Sequence, residues 1–327
     1  MKRTAKKALK LSLVSGCALA LFACSAEKPV RTAQYAVQGV FSAVLSDDGS
    51  ESLVGSVQHG GSFWANATNE RRYNWNHVTG EYTALAGVDI DPSGEYAATG
   101  GARTLALWNT SNGQSEEFWT TPGDIQSLKL TQNGDQALIG LNDQTARFFD
   151  IKQGGILQTL RTGATVRAVD VTPDGSIGIT GDDTSTVTLW DLQTGEKKYQ
   201  WSLNNQIASV ALSSDGRYAF GAAQLGNAKI WSTSTGREVT SIDTGALKYR
   251  QVTISQAVFS SNSRNLLIGE VSSQVSLVQV ATGEVQNTWR LYTPKGRPSG
   301  ASVLALAFAP GNRYYAIGSN GYMNVLQ

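Results

Sequence analysis

Few side chains in this sequence have the types and spacing that catalysis or metal binding requires. The chain has two histidines, His59 and His77, and a metal ion would need a further ligand such as the Glu81 carboxylate to join them. The adjacent acids Asp182 and Asp183 offer the oxygen ligands that Ca²⁺ prefers, but adjacent acids after a glycine are also typical of a solvated turn. No Gly-x-Ser-x-Gly, His-Glu-x-x-His or glycine-rich phosphate-binding motif occurs. The sequence therefore predicts no catalytic residue, no metal ion and no cofactor.

The net charge of the chain changes sign when its first ten residues are left out. Lys and Arg number 27 against 26 Asp and Glu, but five of the basic residues lie within residues 1–10. Without those five, 22 basic residues face 26 acidic ones, which gives a net charge of −4. A mildly acidic chain lacks the basic surface that phosphate backbones require, so nucleic acid is not an expected partner. With 41% hydrophobic residues, the chain can bury a substantial core.

The amino terminus has the order of a secretory signal. Residues 1–10 are basic, residues 11–23 are mostly apolar and end in small side chains, and Cys24 follows. The apolar stretch is too short to cross a hydrocarbon core, which needs about 20 residues in a helix. The run Leu21-Phe22-Ala23-Cys24 resembles the lipobox of bacterial lipoproteins, which implies that the Cys24 thiol is acylated and that Cys24 becomes the mature amino terminus. Ser25 then implies sorting to the outer membrane, while an ordinary secreted protein is the alternative.

These features divide the chain into three parts. Residues 1–23 are a predicted lipoprotein signal peptide, residues 24–32 a polar tether and residues 33–327 a folded domain. Removal of the signal also removes Cys17 and leaves one cysteine, so no disulfide is expected. A lipid on Cys24 would hold the protein at the periplasmic side of the outer membrane.

The folded domain is built from one repeated unit. A two-residue turn signal recurs at spacings of 45, 40, 41, 41, 47 and 49 residues, and an alternating or apolar run typical of a strand precedes each turn. A period in the low forties is typical of a β-propeller blade. The turns are Asp48-Gly49, Ser93-Gly94, Asn133-Gly134, Asp174-Gly175, Asp215-Gly216, Asn262-Ser263 and Gly311-Asn312.

A second repeated segment defines the strands within each unit. The sequence WDLQTGEKKYQW (190–201) aligns without gaps on five other segments, and all six have bulky apolar residues at both ends. This pattern predicts two strands joined by a hairpin and hence four antiparallel strands per blade. The seventh unit stops at Gln327 without an outer strand, so residues 30–38 are expected to supply one. The sequence thus predicts an all-β fold, a seven-bladed β-propeller of four-stranded antiparallel blades closed by the N-terminal strand.

The fourth unit resembles the WD40 repeat family. Trp190-Asp191 matches the family's dipeptide and residues 173–175 match its turn, and the resemblance extends over nearly all of residues 33–327. The family's Gly-His pair is replaced by Gly163-Ala164 in this unit, and its tight-turn aspartate is matched only by Asp143 in blade three. The family's buried Asp-His-Ser/Thr-Trp hydrogen-bond network is therefore expected to be largely missing. Four repeated tryptophans are expected to pack in the blades rather than to bind a ligand: Trp64, Trp108, Trp190 and Trp231.

Three connections between units are longer than the others. From the end of the twelve-residue segment to the next turn, the regular distance is 15 residues, whereas the distances entering blades two, six and seven are 19, 21 and 23. Because strands alternate in direction, these connections leave on one face, together with the turn at 58–61 in blade one. Tyrosine and arginine on such loops are typical of protein interfaces, although loops also vary in length without a function. The candidate partner-binding residues are His59, His77, Tyr82, Lys248, Tyr249, Arg250, Tyr292, Lys295 and Arg297.

Two functions are consistent with these features. The first is a non-catalytic protein-interaction platform, lipid-anchored in the bacterial cell envelope, that binds an envelope protein partner through the long loops. The alternative is a periplasmic small-ligand-binding protein or enzyme that gathers an anionic substrate at the channel mouth, with His59, His77 and the basic loop residues around it. Such a site predicts a concave pocket with perturbed titrating groups.

Overall fold

A computed structural model describes residues 26–242, 252–296 and 300–327, and within them the chain forms 28 strands. These strands form seven antiparallel sheets of four strands each, which confirms the predicted seven-bladed propeller. Each blade runs outward from a central channel in the order inner, second, third and outer strand. No helix in the described part of the chain is both long and apolar enough to cross a membrane.

The first strand, β1 (Arg31–Gln34), belongs to the last blade. Blades one and two contain β2 (Val40–Leu45), β3 (Glu51–Ser56), β4 (Gly60–Ala65), β5 (Glu70–Trp75), β6 (Gly87–Ile90), β7 (Tyr96–Gly100), β8 (Thr104–Asn109) and β9 (Ser115–Thr120). Blades three and four contain β10 (Ile125–Leu130), β11 (Gln136–Leu141), β12 (Thr145–Asp150), β13 (Ile156–Arg161), β14 (Val166–Val171), β15 (Ile177–Asp182), β16 (Thr186–Asp191) and β17 (Lys197–Ser202). A short 3₁₀ helix (Gln132–Gly134) lies between β10 and β11.

Blades five and six contain β18 (Ile207–Leu212), β19 (Tyr218–Ala223), β20 (Ala228–Ser232), β21 (Glu238–Ile242), β22 (Ile254–Phe259), β23 (Asn265–Glu270), β24 (Gln274–Gln279) and β25 (Val285–Arg290). Blade seven contains β26 (Val303–Ala309), β27 (Arg313–Gly318) and β28 (Tyr322–Leu326), and β1 is its outer strand.

The amino-terminal strand closes the ring as expected. β1 pairs antiparallel with β28, and Arg31 lies opposite Val325. Further upstream, Glu27 forms an isolated parallel bridge with Trp289 in the outer strand of blade six. From Glu27 onward, the segment predicted to be a tether is therefore hydrogen-bonded to the propeller, and the folded domain begins before residue 33.

The apolar core lies between neighbouring blades. Seven clusters of buried apolar side chains each join two adjacent blades around the ring. Apart from Trp64, which is half-buried, the repeated tryptophans are buried, and the expected packing role is confirmed. Stacked rings occur within this core, with centroid distances of 5.1 Å for Trp75 and Trp108, 4.5 Å for Trp201 and Trp231, and 4.3 Å for Tyr35 and Trp64.

A glycine in the second strand lets the next blade approach closely. A Cβ atom at Gly140 would lie 2.9 Å from Val166 of blade four, and one at Gly181 would collide with Ile207 of blade five. Only a residue without a side chain fits such a position without displacing its neighbour.

The repeated turns have the left-handed backbone that their residues predict. Gly175 has a φ of +68°, and the turns of blades six and seven place Ser263 at +57° and Asn312 at +56°. In blade four, the Thr172 hydroxyl donates to Asp174 Oδ1 at 2.6 Å. These turns end the inner strands on the face opposite the connections between blades.

Candidate functional site

One face of the propeller carries the connections between consecutive blades and the turns between second and third strands. We call it the loop face. The β5–β6 and β25–β26 connections span residues 76–86 and 291–302, whereas those entering blades three, four and five have four residues each. Two of the three predicted long connections, those entering blades two and seven, thus lie on one face, and most of the third, residues 243–251, lies outside the described part of the chain. Five candidate residues lie outside the described part of the chain: Cys24, Lys248, Tyr249, Arg250 and Arg297.

His59 in blade one contacts Tyr82 in the connection that follows this blade. The rings of His59 and Tyr82 pack edge to face with their centroids 5.5 Å apart, and Tyr82 is 66% exposed. The connection is fixed at its base, because the Thr83 amide donates to Asn76 Oδ1 at 3.1 Å and Leu85 is buried in the core. The two rings therefore form an exposed aromatic pair on a fixed base.

Blade seven presents a second exposed aromatic group. Tyr292 packs edge to face on Tyr322 with centroids 5.0 Å apart. The amide of Tyr292 donates to Asn324 Oδ1, and its carbonyl accepts a hydrogen bond from Asn320 Nδ2, each at 2.9 Å. Lys295 lies exposed on the same connection.

The loops of blades seven and one share a hydrogen-bonded framework. The Val40 amide donates to the Ser319 carbonyl at 3.0 Å, and the Val57 amide donates to the Gly39 carbonyl at 3.3 Å. Ser319 adjoins the turn that holds Tyr292, and Val57 begins the turn that holds His59. The structure therefore brings these candidates onto one continuous framework.

Exposed apolar side chains are concentrated on the loop face. Among the described residues, eight of 14 large exposed apolar side chains lie on the loop face, six lie on the outer rim, and none lies on the turns of the opposite face. Two of the eight, Leu225 and Val271, are in blades five and six. We call the other six the apolar sector: Val37, Phe41, Val57, Val78, Tyr82 and Tyr292.

The loop face has a different character around blades two to four. Six charged side chains there form three ion pairs, and the connections that leave these blades are short. Paired charges neutralise one another, so this part offers a polar surface without a strong charge of either sign. The pairs are Arg103 with Asp124 at 2.9 Å, Arg147 with Asp143 at 3.3 Å and Arg167 with Asp183 at 2.7 Å.

His77, a predicted partner-binding residue, belongs to a hydrogen-bond network inside blade two. Its Nε2 atom lies 2.7 Å from Thr99 Oγ1, and its Nδ1 atom lies 2.6 Å from Thr104 Oγ1. The Trp108 indole N–H donates to the same Thr99 hydroxyl at 2.7 Å. Burial lowers the pKa of His77 to about 4, so its ring is neutral at pH 7. Both ring nitrogens are thus engaged within the protein, and neither is left for a partner.

Blade two is an exception to the expected loss of the family's Asp-His-Ser/Thr-Trp network, because it keeps the His, Thr and Trp members. The Thr104 hydroxyl is the hydrogen-bond partner of His77 Nδ1 in place of the usual carboxylate, and Ala102 stands where blade three has Asp143. The network escaped detection because residues 78–86 separate His77 from the inner strand that it normally precedes closely.

The central channel, with a volume of 610 Å³, carries charges on three neighbouring inner strands. Lys129 Nζ lies 2.9 Å from Asp89 Oδ1, and Asp89 Oδ2 accepts the Leu130 amide at 2.8 Å. In the same way, Asp170 Oδ2 accepts the Leu212 amide at 2.7 Å. Burial raises the pKa of Asp89 to about 6 and also raises that of Asp170. These carboxylates link adjacent blades, and the Lys129 ammonium, on the strand between theirs, lowers the electrostatic cost of charging both.

The acid pair considered for Ca²⁺ binding has structural partners. Asp182 Oδ1 accepts the amides of Thr184 at 2.8 Å and Thr186 at 3.2 Å, and Asp183 pairs with Arg167. Across residues 26–242, 252–296 and 300–327, no group of three His, Cys, Asp or Glu side chains is arranged to hold a metal ion.

Comparison with known families supports the repeat assignment. The family described as WD domain, G-beta repeat matches residues 154–191. This match runs from the outer hairpin of blade three through the third strand of blade four. A search of curated proteins gives no match. Propellers of WD repeats are typically non-catalytic scaffolds that bind protein partners, and the present fold is consistent with that role.

Sequence reasoning missed most of the apolar sector. Phe41 lies near the start of an inner strand, at the position that Gln126 and Arg167 occupy in blades three and four. The available signal was a large apolar side chain at a position that is polar in blades three, four and six. The missed residues are Val37, Phe41, Val57 and Val78.

Proposed function

We propose that this protein is a non-catalytic interaction platform that binds an envelope protein partner through the apolar sector. The observation that carries the proposal is the uneven distribution of exposed apolar side chains. They are concentrated on the loop face around blades seven, one and two, while none lies among the described turns of the opposite face.

The chemistry of the apolar sector suits protein recognition. Exposed apolar patches on soluble proteins commonly mark interaction sites, and tyrosines at their centre often dominate the binding energy. Tyr82 and Tyr292 are held by packing and by hydrogen-bonded loops, so binding orders few additional side chains. Such a preformed surface lowers the entropic cost of association.

We further propose that the platform is held at the periplasmic side of the outer membrane by a lipid on Cys24. The support is the order of a basic segment, an apolar segment and a lipobox-like run that ends in Cys24. Ser25 after the cysteine supports outer-membrane sorting. The partner is then a protein of the envelope.

Crosslinked pull-down from cell envelopes tests this proposal. One variant combines Phe41→Ala, Tyr82→Ala and Tyr292→Ala, and the control combines Ile156→Ala, Leu157→Ala and Val239→Ala, which are exposed on the outer rim. Both keep Cys24. A specific partner should be lost from the first variant and retained by the second. Equal recovery from both variants would contradict the assignment of this face.

The alternative function is ligand binding in the central channel. It is favoured by the 610 Å³ volume and by the buried carboxylate of Asp89 beside Lys129. A panel of small anions and amines, scored by thermal stabilisation of the wild type and of Lys129→Met, tests it. Stabilisation that disappears in Lys129→Met would favour the channel as the binding site.

A further inference from the structure

The segment that precedes β1 is hydrogen-bonded to two blades. The Glu27 amide donates to the Thr288 carbonyl at 2.9 Å, and the Arg290 amide donates to the Glu27 carbonyl at 2.8 Å. Three residues later, the Val30 amide donates to the Val325 carbonyl at 2.8 Å. The segment therefore bridges the outer edges of blades six and seven.

The attachment point belongs to a rigid part of the propeller. Trp289, which pairs with Glu27, is 1% exposed. Its indole N–H donates to the Gln327 carbonyl at 3.0 Å, and its ring packs on Tyr314 with centroids 4.9 Å apart. Because these contacts join blades six and seven, Glu27 cannot move far without disturbing the core between them.

Only Ser25 and Ala26 separate Glu27 from Cys24. Three residue steps of extended chain span at most about 11 Å, at about 3.6 Å per residue. The Cα atom of Cys24, whose side chain would carry the lipid, therefore lies within about 11 Å of the Glu27 Cα atom.

We propose that the rim between blades six and seven rests on the phospholipid headgroups of the membrane, so that the propeller has a fixed orientation there. This inference depends on the proposed lipid anchor at Cys24. Blade three lies directly across the ring from this rim and is the farthest from the bilayer. The apolar sector begins in blade seven, so its partner must present a binding segment close to the membrane surface.

The exposed side chains near the attachment point suit a phospholipid surface. Lys28 and Arg290 are exposed and basic, with the exposed acids Glu27 and Glu284 beside them, and Val30 and Val285 are 61% and 44% exposed. Basic groups attract the phosphates of headgroups, and apolar side chains enter the interfacial layer favourably. Together the two basic residues and the two valines form the anchor rim.

Lipid quenching of a single fluorophore tests the orientation. The full-length protein, acylated in the cell, is reconstituted into phosphatidylethanolamine and phosphatidylglycerol vesicles that contain a quencher on the headgroup. Cys17 and Cys24 are the only cysteines of the chain, so in the mature acylated protein an introduced cysteine is the only thiol. The label is attached at Val285→Cys or at Ile156→Cys.

These two positions are closely matched. Each begins the outer strand of its blade, in blade six and blade three respectively, and they are 44% and 50% exposed. Quenching by the lipid should be several-fold stronger at position 285. Equal quenching at both positions would overturn the proposed orientation, as would a label at 285 that is shielded from a water-soluble quencher without being quenched by lipid, since protein would then cover the rim.

Two further variants separate the orientation from the anchor. A flexible Gly/Ser linker of about 20 residues inserted between Ala26 and Glu27, with an average span of about 25 Å, should leave the protein on the vesicles but remove the difference between the two labels. Cys24→Ser should abolish flotation with vesicles. If the wild type also fails to float, the lipid anchor itself is wrong and the orientation falls with it; if it floats with equal quenching, only the orientation fails.

Discussion

The Nε2 atom of His77 lies 2.7 Å from the hydroxyl of Thr99, and the same hydroxyl accepts a hydrogen bond from Trp108 at 2.7 Å. This chain joins the start of the long β5–β6 connection to the second and third strands of blade two. His77 therefore fixes the base of the connection that presents Tyr82, and it acts on the proposed surface through the fold rather than by contact.

The pH dependence of stability should show this role of His77. Its pKa is about 4 in the folded protein and about 6.5 when unfolded, so the unfolded state binds more protons between these values. Its contribution is present above pH 6.5 and is lost as the pH falls toward 4, by about 1 to 2 kcal/mol at pH 5. Asp89 acts in the opposite direction, because its raised pKa makes the folded state bind more protons between about 4 and 6.

A comparison of His77→Gln with the wild type isolates the histidine from Asp89. At pH 7.5 the variant should be less stable by about 1 kcal/mol, because glutamine replaces two well-aligned hydrogen bonds imperfectly. At pH 5 this difference in stability between the variant and the wild type should narrow or reverse, since glutamine does not titrate. Urea unfolding at both pH values measures it, and a gap that is the same at the two values would argue against a buried neutral imidazole.

The Asp89–Lys129 pair should stabilise the contact between blades two and three. Asp89→Ala should lower the free energy of unfolding by about 2 kcal/mol, below the cost for fully buried pairs because the Lys129 side chain is 40% exposed. The double variant Asp89→Leu, Lys129→Met should lose less, since it leaves no unpaired charge. Chemical denaturation at pH 7.5 provides the comparison, and a double variant that loses more than Asp89→Ala would contradict this account.

The close approach of blades four and five should make Gly181 sensitive to substitution. Gly181→Ala places a methyl group against Ile207 and should destabilise the fold by about 2 kcal/mol through overpacking. Combined with Ile207→Ala, which removes the opposing side chain, the loss should be clearly smaller than the sum of the two single losses. Strict additivity would show that the two positions do not meet.

Much of the fold could be predicted because its signals are local. The Asp-Gly turns and the twelve-residue hairpin segment specify four strands per unit without reference to distant residues. In the turns of blades six and seven, Ser263 and Asn312 stand in place of glycine but adopt the same left-handed backbone, so the repeated turn is still recognisable there. Closure by the amino terminus followed from the missing outer strand of the seventh unit.

The site was less predictable because it depends on contacts between distant parts of the chain. Glu27 pairs with Trp289, which lies near the other end of the sequence, and no local sequence pattern predicts this pairing. The role of His77 depends on Thr99 and Thr104, which become its neighbours only when blade two is folded. Phe41 likewise is exposed because it lies at the mouth of the central channel, which forms only when the seven blades close into a ring.

Site-specific photo-crosslinking in intact cells tests the central claim, partner binding by the apolar sector, most directly. A photoreactive amino acid is placed at Phe41 or Tyr82, and at Asn112 or Thr194, which are exposed on the opposite face. The account predicts one defined crosslinked species from both loop-face positions and none from the other two. The same species from Asn112 and Thr194, or no species from Phe41 and Tyr82, would contradict it.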